Sequence, residues 1–223
     1  MRRVWQKARM SEAIHLHQRL KGTPMVGPET KDTLRWEWRT FSPSLADLAA
    51  KIGLAVRIAP RQSDEIYLLN SATPHSAKIR GAVLEVKRLV QVDPSGLELW
   101  SPAFKAAFPL SAPILQSAFS ALDLPHPIIQ RGAYTLDEFL AEIVGRNLAF
   151  RAVQVSKSRR QFMFGDCAAE LVRLHIGAIE QDSFCIEDEV PARIIAALHE
   201  LGLDSHANIN FPAGLKRALA RPM

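Results

Sequence analysis

From Leu34 to Phe41 hydrophobic and charged positions change places residue by residue. Arg35, Glu37 and Arg39 fall on one side of an extended chain, and Trp36 and Trp38 fall on the other. This period of two predicts a strand. Ser44–Ile52 has helical spacing instead, with Ser44 as the cap and Gly53 where the helix stops. Strand patterns follow at Ser63–Leu69, Ala77–Arg80 and Val83–Val92. Asp93-Pro94-Ser95-Gly96 is a turn by its chemistry, after which Leu97–Trp100 returns as a strand. Pro102 to Pro113 reads as a connector and Ile114–Leu122 as a helix. Thr135–Val144 reads as a second helix, opened by a Thr135/Glu138 capping box and closed by Gly145. The period of two then resumes in Leu148–Ser156, Arg159–Gly165, Ala168–Ile176 and Ser183–Glu189. Helices are expected over Ala192–Leu201 and Asn210–Ala220, the last packed on the outside.

Two β-rich halves joined by hairpin-sized connections do not make a βαβ series. The expected fold class is α+β: a closed antiparallel β-barrel, a tunnel, with helices packed outside.

Composition narrows the function. A chain of 223 residues that is 48% hydrophobic folds around a core, and its length favours one domain. No apolar run approaches the roughly 20 residues of a membrane span. The net charge of +5 would suggest nucleic acid, but its position argues against that partner. Residues 1–31 hold seven basic side chains against Glu12 and Glu29, which accounts for the whole excess, and the rest of the chain is neutral. Residues 1–31 are therefore expected to form a basic, disordered tail, and 32–223 a single tunnel domain. The tail's Arg-rich start also resembles an organelle presequence. Cys167 and Cys185 make neither a disulfide framework nor a zinc signature, so a cytoplasmic chain with reduced thiols is expected. It is expected to be a monomer or homodimer without membrane or nucleic-acid partners.

The charges of the body are patterned. Lys78 and Arg80 share a strand face, as do Glu85 and Lys87, Lys157 and Arg159, and Glu187 and Glu189; Glu170 stands alone in Cys167-Ala-Ala-Glu-Leu. A wet outer face of an antiparallel sheet would give the same alternation. The Trp36/Trp38 face, however, suits burial under helices, which would turn the charged face inward. Seven cations and five carboxylates would then line one lumen. Such a lumen cannot be a dry core, since a buried ion costs several kcal/mol unless it is paired or solvated. Water, metal or a polyanion must fill it. Phosphoryl groups pair with Arg and Lys, and carboxylates beside them suit Mg²⁺ or Mn²⁺. There is no Gly-rich phosphate loop and no nucleophile elbow, so side chains would have to hold the phosphate.

These stretches resemble the CYTH, or triphosphate tunnel, superfamily, which includes class IV adenylate cyclases, thiamine triphosphatases and inorganic triphosphatases. The resemblance rests on Glu37-Trp-Arg39, Lys78-Ile-Arg80, Leu84-Glu-Val-Lys87, Lys157-Ser-Arg159, Cys167-Ala-Ala-Glu170-Leu, Ile186-Glu187-Asp-Glu189 and Asn208-Ile-Asn-Phe-Pro-Ala-Gly-Leu-Lys216. It implies binding and hydrolysis of inorganic triphosphate or a small organic or nucleoside triphosphate in a charge-lined tunnel, with Mg²⁺ or Mn²⁺. The alternative is a non-catalytic module that binds polyphosphate or nucleotide. The resemblance implies phosphate contacts from Arg39, Lys78, Arg80, Lys87, Lys157 and Arg159. It implies metal ligation by Glu37, Glu170, Glu187 and Glu189, with Glu37, Glu187 and Glu189 catalytic. One departure stands out. The family opens with Glu-x-Glu-x-Lys, whereas this chain has Arg35-x-Glu37-x-Arg39, a cation in place of a carboxylate. A second register sets Glu37 on the first Glu and Phe41 on the lysine.

Overall fold

The computed structural model describes residues 34–53 and 59–220. In chain order these form β1 (Arg35–Ser42), α1 (Ala46–Gly53), β2 (Arg61–Asn70), β3 (Ser76–Arg80), β4 (Val83–Val92), β5 (Glu98–Ala107) and β6 (Leu110–Ser111). There follow α2 (Ala112–Ala121), β7 (Ala133–Tyr134), α3 (Leu136–Glu138), β8 (Phe150–Phe164), β9 (Cys167–Ile176), β10 (Ile179–Asp188), α4 (Pro191–Leu201) and α5 (Phe211–Ala220). The expected basic tail and the domain boundary beside it lie outside the described residues.

Eight strands close into a barrel in the order β1-β10-β9-β8-β2-β3-β4-β5, and every pairing is antiparallel. The fold is the closed tunnel that the alternation predicts. The two halves of the sequence meet along β2–β8, from Arg61 opposite Arg159 to Asn70 opposite Phe150. They meet again where β1 lies between β10 and β5.

Three apolar clusters hold the barrel. Outside, α2 and the helical turn after Thr135 cover Ile79 of β3 and Leu84 and Val86 of β4. The capping box forms as expected: Glu138 N–H donates to Thr135 Oγ1, and Thr135 N–H donates to Glu138 Oε2 at 2.9 Å. Past Glu138 the helix widens into π-helical turns over Phe139–Val144. On the opposite flank α1 and α4 bury Trp38 of β1 with Ala169 and Ile186. The tryptophan face of β1 thus points outward under helices, and Glu37 and Arg39 point inward.

The third cluster is different. The face of β8 that carries Lys157 and Arg159 also carries Val153 and Val155, and these pack with Tyr67, Leu174 and the buried side of α5. Apolar side chains and α5 therefore close one end of the lumen, and charges line the rest. This refines the outward position expected for the last helix. Its Gly214 lies so close to the Phe41 ring that an added Cβ would stand 2.3 Å from it.

Two expected boundaries move. Leu148–Ser156 and Arg159–Gly165 are one strand, β8, because the polar run at 156–160 keeps the strand alternation, with Lys157 and Arg159 facing the lumen and Ser156, Ser158 and Arg160 facing away, and is not a turn. β5 continues through Pro102 to Ala107, where a connector was expected. The register slips between Val86 and Lys87, so Val86 opposes Phe104 and Lys87 opposes Pro102. A proline without N–H fits such an irregularity without losing a ladder bond. Among the described residues no helix is long and apolar enough to cross a membrane.

Candidate functional site

The lumen encloses a cavity of about 660 Å³. All six cations expected to bind phosphate line it: Arg39 from β1, Lys78 and Arg80 from β3, Lys87 from β4, and Lys157 and Arg159 from β8. Glu37, Glu85, Glu170 and Glu187 line it with them, together with Cys185, Gln161 and Phe211. Two expected members are absent from this wall. Arg35 is exposed near the start of β1, and Glu189 lies exposed beyond Asp188, where β10 ends. The period-two rule that paired Glu189 with Glu187 lapses where the strand stops.

Sequence reasoning missed the residue that organises the cations. Glu65 of β2 has no exposed side-chain surface. Its Oε1 lies 2.6 Å from Arg159 Nη2 and 3.8 Å from Arg80 Nη1. Its Oε2 lies 2.8 Å from Lys157 Nζ and 3.6 Å from Lys78 Nζ, and accepts the Tyr67 hydroxyl proton at 3.1 Å. The period of two puts Glu65 on one face with Tyr67, but the four cations around it come together only when β2 lies between β3 and β8.

Electrostatics follow from this packing. Burial alone would raise the Glu65 carboxyl, but Lys157, Lys78 and Arg159 hold it well below the usual carboxylate range. Burial pushes the Lys157 ammonium down to about 7, against the Glu65 carboxylate, which favours its charge. Lys157 is also boxed by aromatics: its Nζ donates to Tyr67 Oη at 2.7 Å and lies 3.7 Å from the centre of the Phe211 ring. The Arg39 guanidinium sits over the same ring at 5.1 Å. Arg159 Nε is buried and meets no hydrogen-bond partner among the described residues.

A second set of charges lies along β1. Glu37 stands in register with Glu187 on β10 and with Glu98 on β5. Arg39 Nε donates to Glu37 Oε1 at 3.0 Å, while Arg39 Nη2 lies 3.8 Å from Glu170. Burial tends to raise the Glu37 carboxyl, but Arg39 and Lys87 bring it below its ordinary value. Glu187 is raised, by burial first and then by Glu37, against the pull of Lys87.

The expected four-glutamate metal site is not assembled. Among the described residues no three His, Cys, Asp or Glu side chains come together to hold a metal. Glu189 lies exposed and outside the lumen wall, and Glu170, on β9, stands opposite Cys185 of β10 and not beside Glu37. What remains is the Glu37–Glu187 pair. Two carboxylates are the usual protein share for a Mg²⁺ that arrives already bound to phosphate oxygens, so this pair fits a cation delivered with its ligand.

The C-terminal segment sets the position of β1. Asn208 Oδ1 accepts the Arg39 N–H at 2.8 Å, and Asn208 Nδ2 donates to Gly96 O at 2.8 Å and Glu37 O at 3.3 Å. Ile209 N–H donates to Arg39 O at 2.7 Å. One asparagine thereby joins β1 to the turn before β5, and Phe211 follows directly into the lumen.

No family model matches the chain, and no curated protein does. Several solved structures are similar to it. A candidate adenylate cyclase from Bacillus halodurans is 12% identical with a TM-score of 0.47, over 81% of this chain and 95% of that one. A candidate adenylyl cyclase from Hippeastrum, described as having a dominant triphosphatase activity, is 14% identical with a TM-score of 0.42, over 82% and 95%. The PH1819 protein of Pyrococcus horikoshii is 13% identical with a TM-score of 0.45, over 82% and 98%.

Proposed function

We propose that the lumen binds a triphosphate-class polyanion, inorganic or carried on a small organic group, and hydrolyses it with a divalent cation. The observation that carries this reading is the convergence of six cations, from four strands in both halves of the sequence, on one cavity. Arg159 supports it further, since its buried Nε has a proton to donate and no acceptor among the described residues. Buried donors are rarely left unpaired, so the lumen is built for an acceptor that comes from outside.

The roles of the side chains follow from position. Arg159, Arg80 and Lys78 would grip one end of the phosphate chain, while Arg39 and Lys87 would neutralise charge near Glu37 and Glu187. Fixed cations of this kind stabilise the charge that spreads over the transferring phosphoryl oxygens. Mg²⁺ or Mn²⁺ at the Glu37–Glu187 pair would supply Lewis-acid polarisation of the phosphate. The closed apolar end, with Phe211 and Tyr67, limits water around the bound chain.

The decisive experiment is calorimetric titration with tripolyphosphate, with and without Mg²⁺ or Mn²⁺, alongside a phosphate-release assay. Saturable binding with metal-dependent release of phosphate is expected. Binding without release would leave a polyphosphate-binding module, and no binding under any metal condition would overturn the reading.

A further inference from the structure

The lumen carries almost as much negative as positive charge. Six cations line it, and four carboxylates line it with them. Glu65 adds a fifth from within the wall, where it contacts Lys78, Arg80, Lys157 and Arg159 together. An incoming polyanion therefore meets cations that already have a partner.

We propose that Glu65 is a resident counter-anion that lowers the affinity of the lumen for polyanions, so that ligand is held loosely enough to leave. The inference rests on the binding reading above and adds an affinity-determining residue to it. Its basis is that each of the four cations has a second anchor. Arg80 Nη2 donates to Glu85 Oε1 at 3.0 Å, and Lys78 Nζ lies 3.5 Å from Glu85. Arg159 Nη2 donates to Ser63 Oγ at 2.7 Å, and Nη1 lies 3.7 Å from Glu170. Lys157 is held by Tyr67 Oη and the Phe211 ring. Neutralising Glu65 thus removes a competing charge without releasing the groups that would bind ligand. Because the Glu65 carboxylate helps Lys157 keep its proton, parent and variant are compared well below pH 7, where Lys157 stays charged. A residue that only positioned the cations would act the opposite way, because its loss would let them splay.

Glu65→Gln keeps the shape of the side chain and one acceptor oxygen while removing the charge and the second acceptor. Titrated with tripolyphosphate, this variant should bind about tenfold or more tightly than the parent, the scale of one charged hydrogen bond restored to the ligand. Its affinity should also fall more steeply with added salt, since one more cation is left for the ligand to neutralise. Equal or weaker binding by folded Glu65→Gln, with the parent binding normally, overturns the inference and leaves the binding reading intact. Binding by the variant alone supports the inference and refutes the reading for the parent; binding by neither refutes both.

Should Glu65→Gln be too unstable to titrate, the parent itself provides the test through the carboxyl ¹³C resonance of Glu65. Saturation with tripolyphosphate should shift it as the cations turn toward the ligand. An unmoved resonance in a saturated protein overturns the inference.

Discussion

Phe211→Leu isolates what an aromatic ring does at the floor of the lumen. The substitution keeps an apolar side chain of similar bulk and removes the π face. That face meets Lys157 Nζ at 3.7 Å and the Arg39 guanidinium at 5.1 Å, stacks on Tyr67 at 4.6 Å, and meets Phe41 edge-on at 5.5 Å. A desolvated cation–π contact is worth about 2 kcal/mol and an aromatic pair about 1 kcal/mol. Because these contacts share one ring, the expected loss is about 3 kcal/mol and not their sum. For a chain of this length that corresponds to a fall in melting temperature of roughly 6–12 °C. The cost should also depend on pH. Lys157 loses its proton at about 7, so the cation–π share is present below that value and fades above it. Urea unfolding followed by circular dichroism, on the acid and alkaline sides of that value, measures both effects. A loss under about 1 kcal/mol, or one that grows with pH, would show that the ring does not hold the cations.

Arg159→Ala and Lys78→Ala lie far apart in sequence and should each weaken tripolyphosphate binding by about 1–3 kcal/mol in calorimetry; a change in only one would argue against a shared ligand. Glu187 has its carboxyl raised above the ordinary 4.5, so the folded chain holds this proton more tightly than the unfolded one and its ionised form opposes folding at neutral pH. Glu187→Gln should therefore raise the melting temperature while abolishing the metal dependence of phosphate release, and a lower melting temperature would contradict the assigned strain. Tripolyphosphate bound beside Lys157 should pull its proton affinity up from about 7. Binding above that pH should then take up a proton, visible as a dependence of the apparent enthalpy on the ionisation heat of the buffer, and identical enthalpies across buffers would refute it.

How much of this was legible beforehand depended on whether the determinant was local. The alternation at 35–39 announced β1 and its two faces, and Val83–Val92 matches β4 end to end. The same period of two brought the six cations to one lumen, because the side-chain direction of a strand is fixed residue by residue. Glu65 stayed hidden for the opposite reason. Its neighbours at 78, 80, 157 and 159 gather only when β2 lies between β3 and β8. A lone acidic residue beside Asp64 carries no mark of four distant cations. β5 and β8 were misjudged where a familiar breaker meant something else: Pro102 sits at a register slip, and the polar run after Val155 turns Lys157 and Arg159 into the lumen. The four-glutamate metal set failed at Glu189 because its premise, continued strand geometry, ends at Asp188.

The placement of β1 has a consequence for how the protein is made. Its partner along seven positions, from Trp36 to Ser42, is β10, whereas β5 meets it only at Arg35 to Glu37. The staple that joins it to the turn before β5 is Asn208. A chain emerging from the ribosome therefore presents β1 long before either partner exists, and carries an unpaired strand edge until β10 has been made. Long-range strand pairing of this kind is slow and exposed to misassociation. The ring cannot shut until β10 and the Asn208 segment have been made, so the binding chamber comes into being in one step and not strand by strand.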